Sequence, residues 1–199
     1  MTSVSEAMKN RHSIRHYVQE PIPRADLEEI LRLTSLAPSA WNVQPWRFTV
    51  VTDPVKKAQL QAAANNQKQV GHAPAVIVVA SDMEDVLANP REFAHPEMTE
   101  EQKDHLVQTI QSTFGPQSVE QRGQWALAQT YISLGFLLLA AQEKGIDSSP
   151  MLGFDPEKVK ALFHLPDHVQ IAALVALGKG AEPGRPHHRH SLDRIATFV

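Results

Sequence analysis

The sequence contains no cysteine. Disulfides, thiolate nucleophiles and the cysteine ligands of zinc and iron–sulfur sites are therefore excluded. The first six residues also lack the charged and apolar regions of a secretory signal peptide. Both absences fit a cytoplasmic location, which we take as the expectation for this chain.

Long apolar runs and an excess of basic residues are absent too. Apolar residues never continue for 18 positions, so the sequence predicts no membrane span. The net charge of −3 does not match the basic character typical of nucleic-acid-binding proteins. We therefore expect neither a membrane nor a nucleic acid as partner. The length of 199 residues predicts a single domain, residues 1–199.

Several motifs of nucleotide and hydrolase chemistry are also missing. The glycines around Lys179 form no dinucleotide-binding fingerprint, because no third glycine follows at the required spacing. Neither a phosphate-binding Gly-Lys-Ser/Thr loop nor a Gly-x-Ser-x-Gly elbow is present. Three histidines in the tail, His187, His188 and His190, lack a helix or strand that would fix their spacing. We therefore expect a solvated tail and no metal site.

Helical and strand patterns are present throughout the chain. The predicted helices are residues 4–10, 23–37, 54–64, 118–144 and 156–164, and the predicted strands are residues 47–52, 75–80 and 170–177. The last two strands are continuous apolar runs apart from Gln170, which is typical of strands buried on both faces. The order predicts an α+β layer fold in which helices cover a small sheet.

Two segments differ in composition from the rest of the predicted fold. Residues 82–117 are rich in turn signals around one polar helix opened by Thr99, and we interpret them as an excursion. The excursion is either a lid or a plain surface insertion. The second half of helix 118–144 is apolar nearly all round, so we expect it to be buried on every side. One domain can bury such a helix, and a homodimer does so more easily.

Residues 37–46 connect a predicted helix to a predicted strand. Their two prolines predict a stiff, extended loop. Ser39, Asn42 and Gln44 supply hydrogen-bonding groups that suit the edge of a heterocycle with alternating C=O and N–H groups. The alternative is an ordinary connection in which Trp41 and Trp46 belong to the core.

Residues 11–15 place two arginines around a serine, with little apolar content to bury. Arginine offers bidentate donors to phosphate and serine adds a hydroxyl. The alternative is a solvated charged turn. Residues 150–154 form a second tight apolar loop, and the tail is basic. Together these segments indicate a ligand with a phosphate tail and a flat ring system.

These segments resemble the nitroreductase family of FMN-dependent oxidoreductases, and the resemblance covers almost the whole chain. The pattern Pro-Ser-x-x-Asn-x-Gln-Pro-Trp in residues 38–46 is its most specific part. The resemblance implies an α+β homodimer with a small antiparallel sheet flanked by helices and with long central helices. It also implies one FMN at each subunit interface.

The resemblance further implies roles for individual residues. The phosphate and ribityl chain would be held by Arg11, His12 (through its backbone), Ser13, Arg15 and Arg189. The flavin would be lined by Pro38, Ser39 and Asn42, by Gln44 from the partner subunit, by Asn66 and Gln69 with Lys68 nearby, and by Pro150, Met151 and Gly153.

Two positions depart from the family pattern. Leu152 stands where well-studied members often have glutamate, which puts any contact of that acid in doubt. The Lys-x-Arg pair expected in the tail is replaced by residues 187–189, and Lys179 is a weaker second candidate for the phosphate.

The implied activity is ping-pong transfer of two electrons from NADH or NADPH, through FMN, to a nitroaromatic, quinone or related acceptor. No side chain is predicted to be catalytic, because FMN carries the chemistry. Two alternatives remain open. One is another outcome on this scaffold, such as enone reduction or flavin destruction, and the other is a flavin-binding or redox-sensing module without fast turnover.

Overall fold

The structure, a computed structural model, describes residues 3–199. Its centre is a sheet of four antiparallel strands: β1 (Trp46–Val51), β2 (Ala75–Ser81), β3 (Asp147–Met151) and β4 (Gln170–Gly178). The strands lie in the order β1-β2-β4-β3, so β2 and β4 are central. Every residue of β2 is buried, as the sequence predicts. The α+β class with a small antiparallel sheet is therefore confirmed.

Within residues 3–199 the helices include all those predicted, with bounds close to the predicted ones, and three short helices that the sequence did not predict. The helices are α1 (Val4–Asn10), α2 (Arg24–Thr34), α3 (Pro54–Ala63), α4 (Lys68–His72), α5 (Met83–Ala88), α6 (Glu100–Phe114), α7 (Val119–Glu143), α8 (Pro156–Phe163) and α9 (Leu192–Ile195). Capping boxes open three of them, at Ser3, Thr99 and Ser118. In each box the hydroxyl of the capping residue accepts from the backbone N–H three residues later. The Glu or Gln side chain at that later position accepts in turn from the backbone N–H of the capping residue.

Strand β3 was missed by the sequence interpretation, which placed residues 150–154 in a loop. The strand contains two serines and a proline, which have low strand propensity. Pro150 is tolerated because β3 is an edge strand, with β4 as its neighbour in the sheet. The short helices α4 and α5 were missed for a different reason, since neither is long enough to show a helical period.

The two faces of the sheet pack against different helices. Along β2, Val76 and Val78 point into a cluster with Leu60 of α3 and Val159 of α8. Residues 75, 77 and 79 point the opposite way, toward α2 and α7. This alternation follows from the two-residue period of a strand. The sheet is therefore the middle layer between helices.

Helix α7 contacts all four strands as well as α1, α2 and α5. The prediction that it is buried on every side is wrong for the single chain, because Tyr131, Ile132 and Phe136 are each about 40% exposed. An apolar groove of about 430 Å³ lies beside Phe136. It is lined by Val4, Ala7, Met8, Leu33, Leu36, Leu139, Ala140 and Glu143. By length and apolar composition α7 would pass as a membrane span, but here it packs as a core helix.

Candidate active site

Residues 11–15 lie beside the edge strand β3. Ser13 forms a parallel bridge with Ser148, and the backbone N–H of Ile14 donates to the carbonyl of Ser148 at 3.2 Å. Ile14 is buried in the core, and the hydroxyl of Tyr17 donates to its carbonyl at 2.6 Å. Burial raises the pKa of Tyr17, so its phenol stays protonated as a donor. The segment is therefore fixed along β3 at its middle.

Arg11 and Arg189 form a pair of positive charges at this end of the site. Nη1 of Arg11 is buried and has no hydrogen-bond partner within residues 3–199. The pKa of Arg11 is lowered, first by burial and then by the positive charge of Arg189. Neither arginine makes a salt bridge in the part of the chain that the structure describes. A buried donor and two like charges without an acid fit a phosphate group, which supplies acceptor oxygens and negative charge.

The tail brings Arg189 to this place by packing over the first residues of the site. The backbone N–H of Ala181 donates to the carbonyl of His16 at 2.9 Å, and the imidazole of His16 lies 2.8 Å from Glu182. The His12 and His187 rings stack with centroids 4.3 Å apart. The weaker candidate, Lys179, instead lies 3.9 Å from a carboxylate oxygen of Glu20.

A second group of site residues meets at the other end of β3. The side-chain amide of Gln67 donates to the carbonyl of Gly153 at 2.7 Å. The amide of Gln69 donates to Oε1 of Gln67 at 2.9 Å and lies 3.9 Å from the sulfur of Met151. Asn66 is held at a φ of 56°, a left-handed conformation that asparagine tolerates. Residues 66–69 therefore border the loop that follows β3.

Gln67 was not among the predicted site residues, although it holds the two segments together. Its position inside a run of amide side chains gave no signal that set it apart. The loop that it contacts is tightly packed, because a Cβ on Gly153 would lie 3.1 Å from Nε2 of Gln67. Pro150 and Met151 end β3 beside this loop, and Leu152 is 66% exposed.

Strand β3 joins the end near Arg11 and Arg189 to this second end. Ser148, which bridges Ser13, and Met151 are three residues apart, or about 10 Å along β3. Such a spacing suits a ligand in which a short chain links a phosphate to a ring system.

The loop of residues 37–46 is not extended, so that expectation is wrong. It contains a 3-10 turn at Ala40–Asn42 and three residues with positive φ, namely Trp41 (50°), Asn42 (58°) and Gln44 (42°). The prolines restrict Ala37 and Gln44, the residues that precede them, but leave residues 40–43 free to turn back. Non-glycine residues in this region carry a conformational cost and concentrate at functional sites.

Contacts on both sides hold this strained loop. The hydroxyl of Ser39 accepts from the backbone N–H of Gln44 at 3.0 Å, and the backbone N–H of Ala40 donates to Gln129 of α7 at 3.0 Å. Trp46 is buried, as the alternative interpretation expected. Trp41 is 42% exposed and packs its ring against Phe114 and Trp125. Residues of the excursion and of α7 therefore pack against the loop and hold its conformation.

The loop lies at the opposite sheet edge from the rest of the predicted site. It leads into β1, which is separated from β3 by three inter-strand steps, or roughly 14 Å. No hydrogen bond, salt bridge or ring contact within residues 3–199 joins residues 38–44 to residues 11–15, 150–153 or 189. One chain thus holds the predicted site residues in two separate parts.

The model of the nitroreductase family matches residues 8–179. The chain belongs to the nitroreductase family. A protein of Thermus thermophilus named NADH dehydrogenase is 48% identical over 96% of this chain and 94% of its own length. The nitroreductase-fold prediction is confirmed as well. A protein of Exiguobacterium sibiricum, classed with the nitroreductases and solved in complex with FMN, superimposes with a TM-score of 0.91. It is 31% identical, and the match covers 100% of this chain and 98% of that one.

A third similar protein is named for a different activity. The enone reductase CLA-ER, from a gut-bacterial fatty acid saturation metabolism, has a TM-score of 0.87 and 26% identity. The match covers 100% of this chain and 99% of that chain. From the family and these relatives, the protein is an oxidoreductase.

The loops of this nitroreductase offer dipoles rather than ionisable groups. Residues 37–46 and 150–154 contain no Asp, Glu, His or Lys. They present amides, a hydroxyl, backbone N–H groups and apolar walls, which can bind and orient a ring system but cannot exchange protons near neutral pH. Leu152 keeps this character at the position where family members often carry an acid.

Proposed function

We propose that this nitroreductase binds FMN and transfers two electrons from NADH or NADPH to a nitroaromatic, quinone or related acceptor by a ping-pong mechanism. The observation that carries the proposal is the unpaired charge of Arg11 beside Arg189 near one end of β3, with the amide-lined loop around Gly153 at the other end of that strand. A phosphate-tailed flavin satisfies both ends at once. When bound, FMN supplies the hydride-transfer chemistry.

The side chains of the protein bind and orient the cofactor in this proposal. Arg11, Ser13, Arg15 and Arg189 hold the phosphate and ribityl end, and His12 contributes through its backbone. Asn66 and Gln69 border the pyrimidine edge, and Pro150, Met151 and Gly153 lie against the ring. Fixed dipoles of this kind stabilise developing charge effectively because they need no reorganisation during the reaction.

The second part of the site comes from a second copy of the chain. Pro38, Ser39, Asn42 and Gln44 lie at the opposite sheet edge of their own chain. In a homodimer packed through α7, this loop from the partner subunit would complete the flavin site of the first. The exposed apolar groove beside Phe136 supports such a dimer, since monomers rarely leave large apolar patches uncovered. We place this dimer in the cytoplasm, with no membrane or nucleic acid partner.

Turnover with a defined acceptor tests the proposal. The purified protein, reconstituted with FMN, should show the absorption bands of bound flavin and should oxidise NADH or NADPH rapidly when a quinone or nitroaromatic is added. Varying both substrates should give parallel double-reciprocal lines, as a ping-pong mechanism requires. Stable flavin binding without acceptor-dependent oxidation would instead identify a redox-sensing module. A protein that binds no FMN would refute the proposal.

Enone reduction is the second candidate, favoured by the structural similarity to CLA-ER. The exposed Leu152 adds apolar surface beside the ring site, which suits an apolar enone as well as a quinone. Comparing kcat/KM for an α,β-unsaturated ketone with that for a quinone distinguishes the two. A kcat/KM for the enone that exceeds the kcat/KM for the quinone would make enone reduction the main activity.

Reduction of the cofactor should be nearly independent of pH between about 6 and 8, because no side chain in the two loops can act as an essential acid or base there. Stopped-flow reduction with saturating NADH or NADPH measures this rate directly. A tenfold fall across the window, abolished by replacing a single histidine such as His12, would show that a protein group transfers a proton in this step.

A further inference from the structure

The tail histidine His187 has both ring nitrogens engaged by groups of fixed polarity. Its Nε2 lies 3.0 Å from the carbonyl oxygen of Lys9, in the last turn of α1. Its Nδ1 lies 3.2 Å from Nη2 of Arg189. A carbonyl can only accept and a guanidinium can only donate. The two contacts are therefore satisfied together by one form of the ring, neutral and protonated on Nε2.

The position of this ring is fixed from a third side. The His187 ring stacks on that of His12, with an angle of 19° between the planes. His12 is itself closely covered by Gly184, where an added Cβ would lie 2.2 Å from the Cβ of His12. The helix end, the stacked ring and the glycine therefore hold Nδ1 of His187 in one place.

Arg189 has two anchors, both on the tail. Nη1 donates to the carbonyl of His188 at 2.8 Å, and Nη2 donates to Nδ1 of His187. No acid holds this side chain within the described residues, and the charge of Arg11 repels it. Without the His187 contact, a flexible guanidinium facing a like charge has little reason to remain beside Arg11.

We infer that His187 is a positioning residue that holds Arg189 beside Arg11 for the phosphate of the cofactor. This inference rests on the proposed binding of FMN. His187 acts through Arg189 and only on the phosphate end, so it contributes to the preference for FMN over riboflavin, which has the same ring but no phosphate. Neutral imidazole suits this role because a lysine or arginine at 187 would offer no acceptor to Arg189.

The test measures dissociation constants for FMN and for riboflavin by fluorescence titration at pH 8. His187→Leu should weaken FMN about five- to tenfold, as expected for loss of one hydrogen bond to a charged group at an exposed site. Riboflavin affinity should stay within about twofold. His187→Asn should restore FMN affinity, because its side-chain oxygen can accept from Arg189 near the place of Nδ1.

A double-mutant cycle with Arg189→Ala separates positioning from a merely structural role. In the Arg189→Ala background, His187→Leu should have no further effect on FMN, because the group it positions is gone. An equal loss of riboflavin and FMN, an undiminished effect in that background, or unchanged FMN affinity in His187→Leu would each overturn the inference. Failure of the unmodified protein to bind FMN would refute the proposed function instead.

Discussion

Replacing Arg11 by alanine should weaken FMN binding by roughly ten- to a hundredfold. The loss follows from removing a charge-assisted phosphate contact, typically about 1.5–3 kcal/mol. Arg189→Ala should have an effect of similar size. Riboflavin, titrated in parallel, should bind all variants alike, because its ring meets the other end of β3.

The stability of the cofactor-free protein provides an internal check on this result. Arg11 is partly buried beside a like charge and has no acid partner among residues 3–199, so its removal should leave the apo Tm unchanged or slightly higher. Arg24→Ala serves as the matched control, because Arg24 is exposed and pairs with Glu28 on α2. Unchanged FMN affinity in both Arg11→Ala and Arg189→Ala would remove the phosphate assignment.

Placing a carboxylate at Phe136 should convert the protein to monomers and abolish tight FMN binding. Phe136 is 39% exposed and borders the apolar groove between α1, α2 and α7. In a dimer packed through this face, Phe136→Glu would bury an unpaired charge, which costs several kcal/mol. FMN would be lost with the dimer because residues 38–44 come from the other subunit.

Light scattering and FMN titration of the same samples provide the measurement. Val55→Glu is the matched control, since Val55 is an exposed apolar residue of α3 on a different face. It should remain dimeric and bind FMN normally. The unmodified interface should bury more than about 2,000 Å² in total, the range of obligate dimers. An FMN-loaded monomer of the unmodified protein at micromolar concentration would contradict the proposed assembly.

The elements predicted well are those whose signals lie close together in the sequence. The starts of the helices at Ser3, Thr99 and Ser118 and the apolar strand β2 follow from local patterns, and the structure contains them all. Gly145, at a φ of 70°, follows α7 where the helix was expected to stop. These features depend on the preferences of residues for helix ends and on the spacing of apolar residues, and both act over only a few positions of the chain.

The features that were missed depend on partners distant in the chain. Strand β3 exists because β4 and residues 11–15 lie beside it, and its own composition opposes it. Gln67 matters through a carbonyl at Gly153, and the left-handed turn at Trp41 is held by α7 and the excursion. Tertiary contacts overrode local preference in each case. The family resemblance supplied the predicted site residues, because spacing alone would not have joined residues 11–15 to Arg189.

The order of the strands constrains when the protein can fold. The two central strands, β2 and β4, are separated in sequence by all of residues 82–169, so their pairing closes a very long loop. Such non-local pairing slows folding because the loss of chain entropy precedes the gain from contact. During synthesis at about 5–20 residues per second, β2 would wait roughly 5–20 s for β4 to emerge. Throughout that interval strand β2, which is apolar except for Ser81, is unpaired on one edge, and this makes the nascent chain a natural client for chaperones that bind exposed apolar segments.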